Sequence, residues 1–381
     1  MFEFIKKEHK LMIMFFLTTI SYVESLGLSS LKYVSIAYSI FIIVNSLIKK
    51  GFKKKDFKVS LILFLPLSIS AIFQNLTITQ LIFADFFYLS LILWSLFGYK
   101  VIKEQEDILG SAVGILMGLI FGLIISFDIV ISQMNSIYNS RNRMWGGFSH
   151  PNQLASIALS ACIGIILYLY LNGSLNINKK ILLYFSIVIS IIILYLTKAR
   201  TSWIAVIVFF VVLNINKIQR WNNRSKILFH MVFIFGSLFI GYYYYTEYAL
   251  STDSYLVRLR IFDTMRVSWK TFFVGNGMTN ASSLDRSNSG DGAMEIGWIM
   301  LFYKNGIIGI IAYLCIFWNW WKGILKSNDY KIKYAFSAVF FSFLITSFGE
   351  AFIAAITNVL PMFFLIIMSS LSKNSQKSKL S

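Results

Sequence analysis

Long apolar runs recur along the chain, each close to the length of a membrane-crossing helix, with short polar or basic stretches between them. A helix needs about 20 apolar residues to cross roughly 30 Å of hydrocarbon. Such runs fall at about 11–28, 31–48, 58–73, 77–98, 108–127, 151–171, 181–197, 200–215, 227–245, 294–321, 332–349 and 352–371. Each is apolar on every face, so the pattern predicts spans rather than amphipathic surface helices. The predicted fold class is therefore an all-α integral membrane protein with about 12 transmembrane helices. The first run follows Lys6, Lys7 and Lys10, as in a secretory signal. No small-x-small cleavage site follows it, and it is read as a retained first helix.

Composition supports this and removes the alternatives. A soluble chain of 381 residues would form two or three domains. Here apolar residues make up 57% and charged residues only 14%, against about 25% charged in a water-soluble globule. Thirty-six Phe, twenty Tyr and nine Trp against three Pro exclude disorder. Cys162 and Cys315 both sit inside apolar runs, which predicts neither a disulfide framework nor a thiolate metal site. No linker divides the chain, so residues 1–381 are read as a single multi-pass membrane domain.

A net charge of +18 would suggest nucleic acid in a soluble protein, but here the charges follow the topology. With the N-terminus cytoplasmic, 24 of the 35 Lys and Arg fall in the cytoplasmic segments, as the positive-inside rule requires. Both termini then lie in the cytoplasm. Clusters such as Lys49, Lys50, Lys53, Lys54 and Lys55 read as orientation signals and contacts to anionic membrane lipid. No nucleic-acid partner is expected, because no soluble module presents these charges.

Two longer connections, 128–150 and 246–293, fall on the extracytoplasmic side. The second is a large loop, rich in Ser, Asn and Gly between 275 and 292. Loops of that length are usually functional or disordered. Nine cations lie outside against the rule, and seven of them are arginines: Arg141, Arg143, Arg200, Arg258, Arg260, Arg266 and Arg286. A guanidinium is a planar fork of donors that matches phosphate oxygens and keeps its charge in a partly dry site. Headgroup contact would explain any one of them; a shared anionic ligand explains three separate segments together. Acids on that side include Asp291 and Glu295, with Glu24, Asp85 and Glu350 in the outer halves of spans. Intramembrane acids are costly and point to function or to a paired arginine. His150, in Gly146-Gly147-Phe148-Ser149-His150-Pro151-Asn152, is the one histidine placed outside, and its titration range suits a general base. There is no Walker loop, no Gly-x-Gly-x-x-Gly, no Asp-x-Asp dyad and no zinc-ligand spacing, so no nucleotide cofactor or metal is expected.

The stretch from Arg143 to Ala155 resembles the Arg…Gly-x-Phe…Pro-Asn-x-Leu-Ala signature of the O-antigen ligase and O-antigen polymerase (Wzy-type) membrane proteins. Thr197-Lys-Ala-Arg200-Thr-Ser resembles their Ser-Arg element at a periplasmic helix end. Arg266-Val-Ser-Trp269 with Val274-Gly275-Asn-Gly277 resembles their Arg-x-x-Trp and Gly-x-Gly pair, and Asn305-Gly-Ile-Ile-Gly309 their closing turn. The signature region runs from about 140 to 320. Many members carry a His-Asn pair before that last turn. Here the matching stretch reads Asp291-Gly-Ala-Met-Glu295-Ile-Gly-Trp298, without a histidine, so Asp291, Glu295 and His150 remain alternative bases. That departure tilts the resemblance toward the polymerases.

The resemblance implies a metal-independent glycosyltransferase. Its donor would be a polyprenyl-diphosphate-linked oligosaccharide presented at the outer leaflet of a bacterial cytoplasmic membrane. Arg200 and Arg266 would act on the diphosphate, helped by Arg141, Arg143, Arg258 and Arg260, with Asn152 and Trp269 also touching substrate. A carboxylate or His150 would take the proton from the acceptor hydroxyl. An Ile-, Lys- and Asn-rich chain suits a low-GC bacterium, and hence capsule or exopolysaccharide. A flippase and a chain-length regulator of the same pathway would be its partners. The alternatives are a ligase that transfers finished glycan to a lipid, wall or protein acceptor and, from another class, a lipid-linked oligosaccharide flippase.

Overall fold

Helices account for nearly all of the computed structural model, which describes residues 9–28, 30–51, 54–74, 76–102, 105–136, 143–172, 175–219, 268–276, 297–350, 353 and 358–377. In chain order they are α1 (His9–Ile20), α2 (Leu31–Lys50), α3 (Lys54–Ile72), α4 (Ile78–Val101), α5 (Gln105–Ile125), α6 (Phe127–Ser136), α7 (Pro151–Leu171), α8 (Ile177–Thr197), α9 (Arg200–Gln219), α10 (Trp269–Val274), α11 (Gly297–Leu325), α12 (Tyr330–Gly349) and α13 (Val359–Lys377). Seven of them, α2, α4, α5, α7, α8, α11 and α12, are long and apolar enough to cross a membrane. Shorter apolar helices lie within α1, α3, α9 and α13. The predicted span at 227–245 lies outside the described residues, as does the predicted loop at 246–293 except for 268–276.

Three boundaries differ from the apolar runs. The run at 11–28 is α-helical only to Ile20, because the chain then leaves the helix to pair with a later loop: Val23 and Phe148 form an isolated antiparallel bridge, followed by a single 3-10 turn, Glu24–Leu26. The connection beginning at 128 opens with the helix α6, which follows α5 after Ser126. α13 begins at Val359 rather than 352, and Pro361 lies in its first turn, where a missing N–H removes no helical bond.

Two helices form the centre. The side chains of α7 are buried from Asn152 to Tyr168, and those of α13 from Val359 to Ser372. Around them, α8 turns Ile181, Tyr184, Phe185, Val188, Ile192 and Tyr195 outward, and α2 does the same with Val34, Phe41 and Ile48. Large apolar side chains exposed on outer helices are what a lipid-facing surface requires. Lipid tails are as apolar as leucine, so helix association must come from close packing of small residues and interhelical hydrogen bonds. Gly110, Gly114, Gly118 and Gly122 line one row of α5 at four-residue spacing. A Cβ on Gly114 would collide with the Met12 backbone of α1, and one on Gly118 would lie 2.7 Å from the Thr19 Cβ. On the far side of α5, Ala112 faces Gly164 of α7.

The long helices alternate in direction, so α7, α9, α11 and α13 start at the end of the bundle where α1, α5, α8 and α12 finish. Contacts fix this register: Gln153 meets Asn358 at that end, while Gly98 lies against Ile366 and Ser369, and Gly323 against Ser372, toward the other. At that other end Lys50 Nζ and Ser46 Oγ both donate to the Lys100 carbonyl, and Lys100 Nζ donates to that of Gly51. Cations thus cap the closing carbonyls of α2 and α4, the favourable end of each helix dipole. His9 and Lys377 both fall at this end, opposite the cluster described next.

Candidate functional site

The segment 143–150 is held by backbone bonds from three directions. Glu24 N–H donates to the Gly147 carbonyl at 2.8 Å and Ser149 N–H to that of Tyr22 at 3.1 Å. The Gln133 side-chain oxygen, from α6, accepts from both Trp145 and Gly146 N–H at 3.0 and 2.9 Å. Met144 N–H donates to the Leu196 carbonyl at 3.1 Å, at the end of α8. Gly147 must be glycine here: its φ is +78°, and a Cβ would run into Ser126. The segment therefore delivers its final residue, His150, as the N-cap of α7, with Pro151 at the first helical position.

At this braced corner a chain of polar groups crosses three helices. Arg143 Nε donates to the Thr197 carbonyl at 2.9 Å, in the last turn of α8, where a cation meets the negative end of the helix dipole. Arg143 Nη2 donates to Asn152 Oδ1. Asn152 Nδ2 donates in turn to Glu350 Oε2 at 2.7 Å. A guanidinium can only donate and a carboxylate only accepts, so the two partners fix which way the Asn152 amide points. Asn152 and Glu350 are buried, 8% and 9% exposed. Beside them, Gln153 Nε2 reaches Asn358 Oδ1 at 3.5 Å, which ties α7 to the start of α13.

Arg200 opens α9 three residues after Thr197 and is half-buried. Lys198 lies between them in the left-handed region, φ 51°, and makes the sharp reversal from α8 to α9. A cation at a helix N-terminus opposes the dipole, so Arg200 and the first N–H groups of α9 together form a local concentration of positive charge. His150 is exposed. Its Nδ1 accepts from Asn152 N–H at 3.2 Å, which uses the ring's lone pair for capping.

Of the residues predicted for the site, Arg143, Asn152, His150 and Arg200 are thus brought to one end of the bundle. Trp269 is not part of that chain of hydrogen bonds. It stands 82% exposed at the start of α10, which Ser268 caps and which packs chiefly on α11. Arg141, Arg258, Arg260, Arg266, Asp291 and Glu295 lie outside the described residues. Sequence reasoning counted Glu350 among the costly intramembrane acids but did not join it to Asn152, because the two stand 198 positions apart. Among the described residues no three His, Cys, Asp or Glu side chains converge as a metal ion would need.

The two glycine motifs further along the chain meet elsewhere at the same end. Gly275 and Gly306 both have positive φ, 76° and 60°, and a Cβ on Gly306 would lie 2.7 Å from Gly275 N. Asn276 N–H donates to the Tyr303 carbonyl at 2.8 Å, and Gln74 Nε2 donates to the carbonyls of Val274 and Lys304. The kink in α11 therefore falls at Gly306, one turn earlier than Gly309, and serves as the seat for α10.

No protein-family model matches the chain, and no curated protein is similar to it in sequence. The resemblance over 140–320 stands on its short motifs.

Proposed function

We propose that this protein is a polysaccharide polymerase of the cytoplasmic membrane of a bacterium, with both termini in the cytoplasm. It would join polyprenyl-diphosphate-linked oligosaccharide units on the outer face, for capsule or exopolysaccharide. The observation that carries this reading is the Arg143–Asn152–Glu350 chain beside Arg200. Two stretches that carry the resemblance, 143–155 and 197–202, meet there through Arg143 and Thr197, and Asn152 joins them to a buried carboxylate. Fixed guanidinium groups suit a diphosphate, on which negative charge grows as the glycosidic bond breaks. A lipid diphosphate is a good leaving group by itself, so this chemistry needs positioning and charge stabilisation more than a cofactor. Arg266, Arg258, Arg260 and Arg141 are further diphosphate contacts in this reading, and Trp269 a stacking surface for sugar. A flippase and a chain-length regulator would act beside it.

The test is a deletion strain analysed for lipid-linked and surface glycan. Single repeat units left on the carrier support a polymerase. Long polymer accumulating on the carrier would mean a ligase, and repeat units trapped inside the cell a flippase.

A further inference from the structure

We propose that Glu350 is the proton acceptor of the reaction, a role that rests on the polymerase reading above. Three features of the cluster lead to it. First, Glu350 ends α12, where its backbone N–H caps the helix by donating to the Thr346 carbonyl at 2.9 Å. A carboxylate at the negative end of a helix dipole, and buried, is an unfavourable placement that needs compensation. The Asn152 amide supplies it directly, and Arg143 polarises that amide from its other side. Second, the Asn152 bond engages Oε2 and holds the carboxylate in one orientation at the end of the bundle that gathers Arg143 and Arg200. Third, the nearby alternative is already used: His150 spends its Nδ1 lone pair on the α7 cap, so its neutral ring has no second basic nitrogen to offer.

The step balances without a co-reactant. The acceptor sugar's hydroxyl oxygen forms a bond to the anomeric carbon of the donor. The bond from that carbon to the diphosphate oxygen breaks, and its electron pair stays on the departing lipid diphosphate. The hydroxyl proton passes to a Glu350 carboxylate oxygen and from there to water. Arg200 faces the charge that grows on the diphosphate, while Asn152, through Arg143, keeps Glu350 aimed.

The experiment complements the deletion strain with wild type, Glu350→Gln, Glu350→Asp and Arg200→Ala, each measured for membrane level, lipid-linked units and polymer growth rate against external pH. The glutamine can still accept from Asn152, so a purely structural Glu350 predicts normal polymer. A general base predicts a loss of about 100-fold or more in Glu350→Gln, with single units accumulating on the carrier. It also predicts partial recovery in Glu350→Asp, and loss of the wild type's rise in rate as pH increases. Polymer within twofold of wild type in Glu350→Gln overturns the proposal and leaves the polymerase reading standing. If Glu350→Gln does not reach the membrane, Glu350→Asp decides: moving the carboxylate back by one methylene must slow growth at least about tenfold, and an unchanged rate overturns the role. A deletion strain with normal polymer removes the polymerase reading, and the role of Glu350 with it.

Discussion

Gly306 and Gly275 pack backbone against backbone, so two glycines 31 positions apart form one joint between a surface helix and a kinked span. Gly306 has φ 60° and ψ −161°, a region open to glycine and strained for every other residue. Gly306→Ala is therefore expected to lose about 1–3 kcal/mol of stability and to displace α10. Thermal unfolding of the detergent-solubilised protein should show a lower midpoint. An unchanged midpoint would count against the joint.

The α1–α5 contact should be intolerant of side chains on the glycine row. Gly114→Leu forces a side chain into the Met12 backbone, and overpacking of this kind costs about 1–3 kcal/mol. Ala at Met117, an exposed position on the same helix, should be neutral. Folded yield by fluorescence-detected size exclusion distinguishes the two, and equal yields would contradict the packing.

Arg143 serves two partners in different directions, the Thr197 carbonyl through Nε and Asn152 through Nη2. Lysine keeps the charge but cannot span both. Losing one charge-assisted hydrogen bond is worth about 1.5–3 kcal/mol, so Arg143→Lys should slow polymer growth by roughly tenfold or more at normal membrane level. Full-rate growth in this variant would show that the fork geometry is unimportant.

Sidedness can be read chemically. In a Cys315→Ser background, a cysteine at the exposed Ser149 or at Ser287 should react with an impermeant thiol reagent in intact cells. One at the exposed Tyr330, at the other end of the bundle, should react only after permeabilisation. The reverse labelling would invert the topology and put the cluster in the cytoplasm.

The helices were legible because a span has to be apolar along its whole length, whatever it packs against. Pro151–Leu171 coincides with the apolar run at 151–171. Ends were harder to read where tertiary pairing overrode composition. Residues 21–28 are apolar enough to continue α1, yet Tyr22, Val23 and Glu24 are taken up by backbone bonds to 147–149. The glycine row of α5 was present as a four-residue spacing, but its partner surface on α1 exists only after folding. Arg143, Asn152, His150 and Arg200 stood out by residue type and neighbours. Glu350 stood out only as a costly intramembrane acid; its bond to Asn152 was not legible, since it comes from a helix that carries none of the motifs.

The docking of Asn276 onto Tyr303 also brings two points of the chain, Asn276 and Gly297, close together. Gly297 lies six residues, or about 9 Å of helix, from Tyr303, where Asn276 is held. Closing a ring costs only about 0.6 kcal/mol more for each doubling of its length. The number of residues joining those two anchors is therefore only weakly constrained by closure of the bundle that carries Arg143, Asn152 and Glu350.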